Sequence, residues 1–224
     1  MQTMSRRSFL LASLGVASLC LAGCGSGASG AASTSAASAS AVSSSSASSC
    51  VTSASGEYAT GTHHATIEVE GYGAIKLELD ADVAPVTVAN FAKPAGEGFY
   101  DGLTFHRIIE GFMVQGGDPN GNGTGGSDEK IVGEFSDNGH PNSISHVRGT
   151  ISMARSQAYN SASSQFFIMQ ADTPSLDGQY AAFGHVTEGM DVVDAMCEAA
   201  RPTDNNGTIA AADQPRIASV KMDD

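Results

Sequence analysis

The sequence contains no tryptophan, and aromatic residues make up only 6% of its 224 positions. Basic residues are also scarce, with 11 lysines and arginines against 24 aspartates and glutamates. This balance argues against a nucleic-acid-binding protein, because phosphates require a surface rich in lysine and arginine. With so few aromatic residues, a hydrophobic core must come largely from aliphatic side chains and nine phenylalanines.

Charged residues are nearly absent from the first quarter of the chain. Arg6 and Arg7 are the only charges before Glu57, so the other 9 basic and all 24 acidic residues lie in residues 57–224. That segment carries 9 − 24 = −15. Its length suffices for one domain with a substantial core but not comfortably for two. We therefore predict a single acidic domain over residues 57–224.

The N-terminus has a basic start followed by a short apolar stretch, Leu11–Leu21. This stretch is too short to cross a bilayer, which needs roughly 20 apolar residues, and the pattern is typical of an export signal. The paired arginines within Ser5–Leu10 resemble a twin-arginine signal, and Leu21–Cys24 resembles a bacterial lipobox. We predict a signal over residues 1–23 and lipidation of Cys24, with an ordinary cleaved signal as the alternative.

Residues 25–56 are almost entirely serine, alanine and glycine, which fill 27 of the 32 positions. Such a composition cannot bury enough apolar area to offset the entropy of ordering. We therefore expect residues 24–56 to be a flexible tether that holds the domain outside the cytoplasm, lipid-anchored to a bacterial membrane. The four cysteines, Cys20, Cys24, Cys50 and Cys197, predict no disulfide framework.

Short strands dominate the predicted domain. Residues 65–80 alternate apolar and polar side chains around Gly71–Gly73, which indicates a hairpin with one buried face. A helix is predicted from Pro85, ending early at Pro94, and a second over Met190–Ala199. Further strands are predicted at Thr104–Ile109, Phe112–Gln115, Thr150–Ala154, Phe166–Met169, Ala182–Val186 and Ile217–Met222. This pattern favours an all-β closed barrel.

Residues 105–118 read FHRIIEGFMVQGGD and resemble the signature of the cyclophilins, the peptidyl-prolyl cis-trans isomerases. GFYDGLT at 98–104 precedes this segment in the family order, and further blocks follow it: TISMA at 150–154, SQFFI at 164–168, LDG at 176–178 and FG at 183–184. The resemblance covers roughly residues 66–222. It implies a closed, eight-stranded antiparallel barrel capped by two helices, and proline-containing polypeptides as substrates.

Rotation of a prolyl amide needs no nucleophile, metal or cofactor. Its barrier of about 18–20 kcal/mol arises from delocalisation of the nitrogen lone pair, so an enzyme must bind the twisted amide better than the planar one. By the resemblance, Arg107 is the donor to the twisted amide, assisted by Gln115. The resemblance also implies a substrate-binding set consisting of Phe112, Met113, Ala154, Gln165, Phe167, Leu176 and Tyr180.

Three positions depart from many relatives. Ser175 stands where a large aromatic residue supports cyclosporin binding, which puts affinity for that drug in doubt. Tyr180 replaces a histidine, and Arg155 follows Ala154 where many relatives have asparagine. The last change adds a cation near the predicted groove.

Three alternatives compete with this interpretation. Asp118–Glu129 satisfies the written pattern of an EF-hand calcium loop, but it follows a predicted strand and is unusually rich in glycine, so we expect no metal site. A proline-peptide docking module with little turnover is the alternative function, although docking alone would not require Arg107. A solute-binding lipoprotein is disfavoured by the size of the chain. No feature predicts an oligomer, and we expect a monomer.

Overall fold

A computed structural model describes residues 50–224; the predicted signal, Cys24 and residues 24–49 of the predicted tether lie outside these residues. The described chain contains two α-helices, α1 (Pro85–Gly96) and α2 (Met190–Ala199). Its eight strands are β1 (Thr62–Val69), β2 (Gly73–Asp80), β3 (Thr104–Ile109), β4 (Met113–Asp118), β5 (Thr150–Met153), β6 (Phe166–Met169), β7 (Ala182–Glu188) and β8 (Ile217–Met222). Within this part of the chain, neither helix could span a bilayer.

The eight strands form one curled antiparallel sheet in the order β3-β4-β6-β5-β7-β2-β1-β8. Its two ends meet where Thr104 bridges Arg216, and the backbone N–H of Gly102 donates to the carbonyl of Ile217 at 2.8 Å. Closure in this way satisfies the edges that an open sheet would expose. The predicted all-β barrel with two helices is confirmed.

The first hairpin illustrates why these residues form strands. Ile67 faces Ile75 across the β1–β2 pair, and alternate side chains along both strands are buried. The turn between them requires Gly71 and Gly73, whose φ angles of 76° and 118° are unfavourable for other residues. The alternation that predicted this hairpin therefore arises from burial of one face only.

Helix α1 continues past Pro94, so the predicted early end was wrong. The helix runs two residues further, to Gly96, and Pro94 is buried within its last turn. Pro94 cannot donate to the carbonyl of Asn90, so the helix loses one hydrogen bond there, while outside donors complete its last turn. The carbonyls of Lys93 and Pro94 accept from Glu97 at 3.1 Å and Phe99 at 2.9 Å.

The core lies inside the barrel and beneath α1. Phe91 of α1 contacts the rings of Tyr100, Phe166 and Phe183 at centroid distances of 5.4–5.6 Å. Edge-to-face and tilted contacts of this kind stabilise aromatic pairs beyond the area they bury. Phenylalanines thus fill the centre of a protein that has no tryptophan.

The folded part of the chain begins before Glu57, the predicted start of the domain. Val51 forms a parallel bridge with Ile131, donating its N–H to the Lys130 carbonyl at 2.8 Å and accepting from Val132 at 2.9 Å. Cys50, Val51 and Ala54 also pack against the core. The composition of residues 25–56 gives no signal for the contact of Val51 with the domain, because only a few apolar residues make it.

Candidate active site

Strands β3, β4 and β6 present different side chains to the two faces of the sheet. Val114, Phe166 and Ile168 are fully buried in the main core, whereas their neighbours Met113 and Phe167 belong to a second apolar cluster outside the barrel. The register of β3 shifts between Phe105 and Arg107. Because of this irregularity Phe105 and Ile108 both enter the core, while Arg107 joins the second cluster.

The second cluster forms the wall of a cavity of about 150 Å³, which we call the apolar pocket. It is lined by eight of the nine predicted site residues and by Arg155: Arg107, Phe112, Met113, Gln115, Ala154, Phe167, Leu176 and Tyr180. The ninth, Gln165, is buried next to Gln115. Residues from three strands and three connecting segments therefore converge on one site.

Arg107 is held at the edge of the apolar pocket by three neighbours. Its Nε donates to the Asn206 carbonyl at 2.7 Å, and its Nη1 donates to Gln115 Oε1 at 3.2 Å. Its Cζ lies 6.0 Å from the centroid of the Phe112 ring. Burial lowers the pKa of Arg107, against the opposing influence of Tyr180 and Asp204, but arginine stays charged at neutral pH. The guanidinium is thus a fixed cation.

Two glutamines, Gln115 and Gln165, connect Arg107 to the Gly125 carbonyl through consecutive hydrogen bonds. Gln115 accepts from Arg107 and donates through Nε2 to Gln165 Oε1 at 2.9 Å. Gln165 in turn donates to the Gly125 carbonyl at 2.8 Å. Since each amide has its oxygen and nitrogen assigned by its partners, neither can flip without losing a hydrogen bond.

The family model for cyclophilin type peptidyl-prolyl cis-trans isomerase/CLD matches residues 64–222, which is more than half of the chain. The chain belongs to the cyclophilin family. It is 48% identical over 124 residues to a peptidyl-prolyl cis-trans isomerase of Synechococcus elongatus, an alignment that covers 55% of this chain and 80% of that protein. It is also 48% identical over 122 residues to peptidyl-prolyl cis-trans isomerase B of Bacillus subtilis, covering 54% and 82%. The predicted enzyme class, a peptidyl-prolyl cis-trans isomerase, is confirmed.

Solved structures agree with the sequence comparison. The crystal structure of a cyclophilin type peptidyl-prolyl cis-trans isomerase from Cryptosporidium parvum is similar with a TM-score of 0.64 and 28% identity, covering 73% of this chain and 99% of that one. A structure of the same protein in the presence of the dipeptide Ala-Pro is similar with a TM-score of 0.63 and 30% identity, covering 72% and 99%.

Replacing Gln165 with leucine should lower kcat/KM of this cyclophilin about three- to tenfold. Leucine removes the acceptor that orients Gln115, and a hydrogen bond of this kind contributes about 1 kcal/mol. We expect the loss in kcat rather than in KM, because Gln165 positions Gln115 and Arg107, and the two lost hydrogen bonds should lower the free energy of unfolding by about 1–3 kcal/mol. An unchanged kcat in the folded variant would contradict the positioning role.

His146 is the support residue that sequence reasoning missed. Its buried ring stacks on Phe167 at a centroid distance of 6.0 Å and lies edge-on to Tyr180 at 6.5 Å. Its two nitrogens lie 2.9 Å from Asp177 Oδ1 and 3.1 Å from Ser152 Oγ. His146 therefore packs against Phe167 and Tyr180 and supports the wall of the apolar pocket that they form. In the sequence, the only indication of this role of His146 is its hydrogen-bond partner Asp177, which belongs to the LDG block.

The stability of this cyclophilin should fall as the pH drops below about 6.5. Burial lowers the pKa of His146, although Asp177 opposes the shift, and burial also lowers the pKa of His106. Unfolding restores the higher ordinary pKa, so the unfolded chain binds more protons at mildly acidic pH and is favoured there. Urea unfolding at pH 7.5 and pH 5.5 would measure the difference.

The variant His146→Gln tests the assignment of this pH dependence. Removing one titrating group should flatten the profile by no more than about 1.4 kcal/mol per pH unit. His185→Gln is the matched control, because His185 is an exposed histidine on β7. An equally steep profile in wild type and His146→Gln would contradict the assignment.

The residues that depart from many relatives take defined places. Tyr180 closes one side of the apolar pocket, with its ring 5.7 Å from that of Phe167. Arg155 lies over the Tyr180 ring, with its Cζ 4.7 Å from the centroid. Ser175 is exposed, and its carbonyl accepts from Gln179 at 2.9 Å.

The loop that matches the calcium pattern is organised by hydrogen bonds. Asp118 accepts from the backbone N–H groups of Asn120 at 2.8 Å and Asn122 at 3.0 Å, and also from Gly123. Burial alone would raise the pKa of Asp118, but these donors hold it below its ordinary value. Glu129 pairs with Lys93 at 3.1 Å instead of turning toward Asp118. The residues that match the calcium-loop pattern therefore form a turn that is held by hydrogen bonds to the Asp118 carboxylate.

Proposed function

We propose that this cyclophilin isomerises Xaa-Pro bonds in exported or surface polypeptides while anchored to a membrane through Cys24. The observation that carries the proposal is the fixed Arg107 guanidinium at the rim of the apolar pocket. A proline ring in the pocket would place its amide beside a charged donor. The Ala-Pro dipeptide present with the Cryptosporidium parvum relative supports proline-containing segments as ligands.

The reaction breaks and forms no covalent bond, and the side chains act by differential binding. As the amide twists, its nitrogen lone pair becomes localised and basic, so a donor from Arg107 is worth more in the transition state than in either planar isomer. The hydrogen bonds to Asn206 and Gln115 keep the guanidinium in place before substrate arrives. Little reorganisation is then needed during rotation.

The alternative of a docking module with little turnover is less consistent with this geometry. A docking groove requires the apolar pocket but not a cation whose position is fixed by a chain of two amides. A peptide exchange assay by nuclear magnetic resonance decides between them. Line broadening or exchange peaks of the cis and trans forms at substoichiometric protein would support catalysis, and binding without accelerated exchange would support docking.

The membrane anchor can be tested separately in the full chain. Cys24→Ser should move the protein from the membrane fraction to the soluble extracytoplasmic fraction, because only the lipid would retain a domain of charge −15 at an anionic surface. Cys50→Ser is the matched control and should stay with the membrane. Equal retention of both variants would contradict lipidation at Cys24. We also propose a monomer, which sedimentation of the soluble variant would check.

A further inference from the structure

A second cavity adjoins the apolar pocket. Its volume is about 260 Å³, and it shares Gln115, Ala154 and Arg155 with the apolar pocket. In the described part of the chain, no aspartate or glutamate lines either cavity. Yet 24 acidic residues lie in this domain, and three of its nine basic residues, Arg107, Lys130 and Arg155, line the two cavities. Among the described residues, the side chains that line the two cavities therefore include basic but no acidic residues, in a domain of net charge −15.

Arg155 is fixed in position at the boundary of the two cavities. Its Cζ lies 5.1 Å from the ring centroids of both Phe135 and Tyr159, in addition to its contact with Tyr180. Its Nε donates to the Gln179 carbonyl at 2.9 Å. Aromatic faces and carbonyls hold a guanidinium without neutralising it, and Nη2 donates to no other residue between positions 50 and 224. A charged donor thus remains for a ligand.

Lys130 supplies the second cation of this cavity. The residue lies in the second cavity with Ser163, and its Nζ is beside Gly126. Within residues 50–224 it forms no salt bridge, whereas Lys76 and Lys93 each pair with a glutamate. The second cavity therefore combines two cations with uncharged polar side chains.

We infer that the second cavity binds the carboxylate of an aspartate or glutamate close to the substrate proline. The inference rests on the proposed isomerase function, because the apolar pocket must hold the proline for its neighbour to reach the second cavity. Asp118 lies behind Gly125, but its charge is directed to three backbone N–H groups. The remaining acidic surface is screened beyond a Debye length of about 8 Å at 0.15 M salt, whereas direct contacts in the cavity are not.

The test uses pairs of proline peptides that differ only in having glutamate or glutamine at one position. The varied position is, in turn, each of the two before proline and each of the two after it. Isomerisation is measured by exchange spectroscopy at 0.15 M salt, and the readout is the ratio of kcat/KM within each pair. At one position the ratio should favour glutamate roughly two- to tenfold. Lys130→Gln leaves Arg155 as the one cation that lines the second cavity within residues 50–224 and should lower that ratio by at least about twofold, while Lys221→Gln, which removes an exposed lysine on β8, should leave it unchanged.

A second substitution at Lys130 tests the inference even if Lys130→Gln is poorly stable. Lys130→Glu places an anion beside Arg155 in the second cavity, so the preference for glutamate at that position should disappear. Ratios near one at every position in the wild type would overturn the inference and leave the isomerase function standing. No acceleration of any peptide would instead overturn the proposed function itself, and the inference with it.

Discussion

Replacing Arg107 with alanine should lower kcat/KM for a neutral proline peptide by about 100- to 1000-fold. Removal of a fixed donor that acts mainly in the transition state costs about 2.7–4 kcal/mol in enzymes with comparable electrostatic stabilisation. The apolar pocket keeps its other lining residues in this variant, so peptide binding should weaken much less than turnover. Exchange spectroscopy gives the rate, and peptide titration of the same sample gives the affinity.

Two further variants separate the charge of Arg107 from its shape. Arg107→Lys keeps a cation but loses the planar fork that contacts Asn206 and Gln115 simultaneously, so it should recover only part of the activity. Arg201→Ala removes an exposed arginine that donates to carbonyls at the end of α2, and it should behave like the wild type. Near-normal turnover in Arg107→Ala would reject electrostatic stabilisation as the main contribution.

The parts of the fold that could be predicted from the sequence are those that depend on neighbouring residues. Alternation in residues 65–80 predicts the first hairpin because one face of each strand is buried. The strand bounds Thr104–Ile109, Phe166–Met169 and Ile217–Met222 likewise agree with the structure. Strand β7 extends two residues beyond the predicted Val186, where the exposed Thr187 and Glu188 give no periodic signal.

Interactions between distant parts of the chain left little local signal. Nothing in the neighbourhood of His146 indicates that it stacks against Phe167, since the loop and strand that carry them meet only in the fold. The Gln165 amide is likewise oriented by Gly125, 40 positions away. The resemblance predicted which residues belong to the candidate site, but the contacts between them follow from closure of the barrel.

The start of α1 is another long-range feature. The N-cap position, Ala84, has no side chain that could accept a hydrogen bond, so the helix lacks a local cap. Glu134 provides it from a loop: its carboxylate accepts from the backbone N–H groups of Val86 at 3.1 Å and Thr87 at 2.8 Å. It also accepts from Thr87 Oγ1 at 2.6 Å. A buried anion at a helix N-terminus is favoured by both the free N–H groups and the helix dipole.

Replacing Glu134 with alanine should therefore lower the free energy of unfolding by about 2–4 kcal/mol. The substitution removes three hydrogen bonds to a charged acceptor and leaves two buried N–H groups without a partner. For a domain of this size the melting temperature should fall by roughly 5–15 °C. Urea unfolding, followed by circular dichroism, measures the change.

Glu129→Ala is the matched control, because it also removes a carboxylate that contacts α1. Its partner is Lys93, and more than half of each side chain is exposed, at 55% and 58%, so the loss should stay below about 1 kcal/mol. Glu134→Gln retains one acceptor oxygen but directs an amide toward N–H donors, and it should fall between wild type and alanine. If Glu134→Ala were no more destabilising than Glu129→Ala, the helix would not depend on this cap, and packing of Phe91 against the barrel would be sufficient to hold α1 in place.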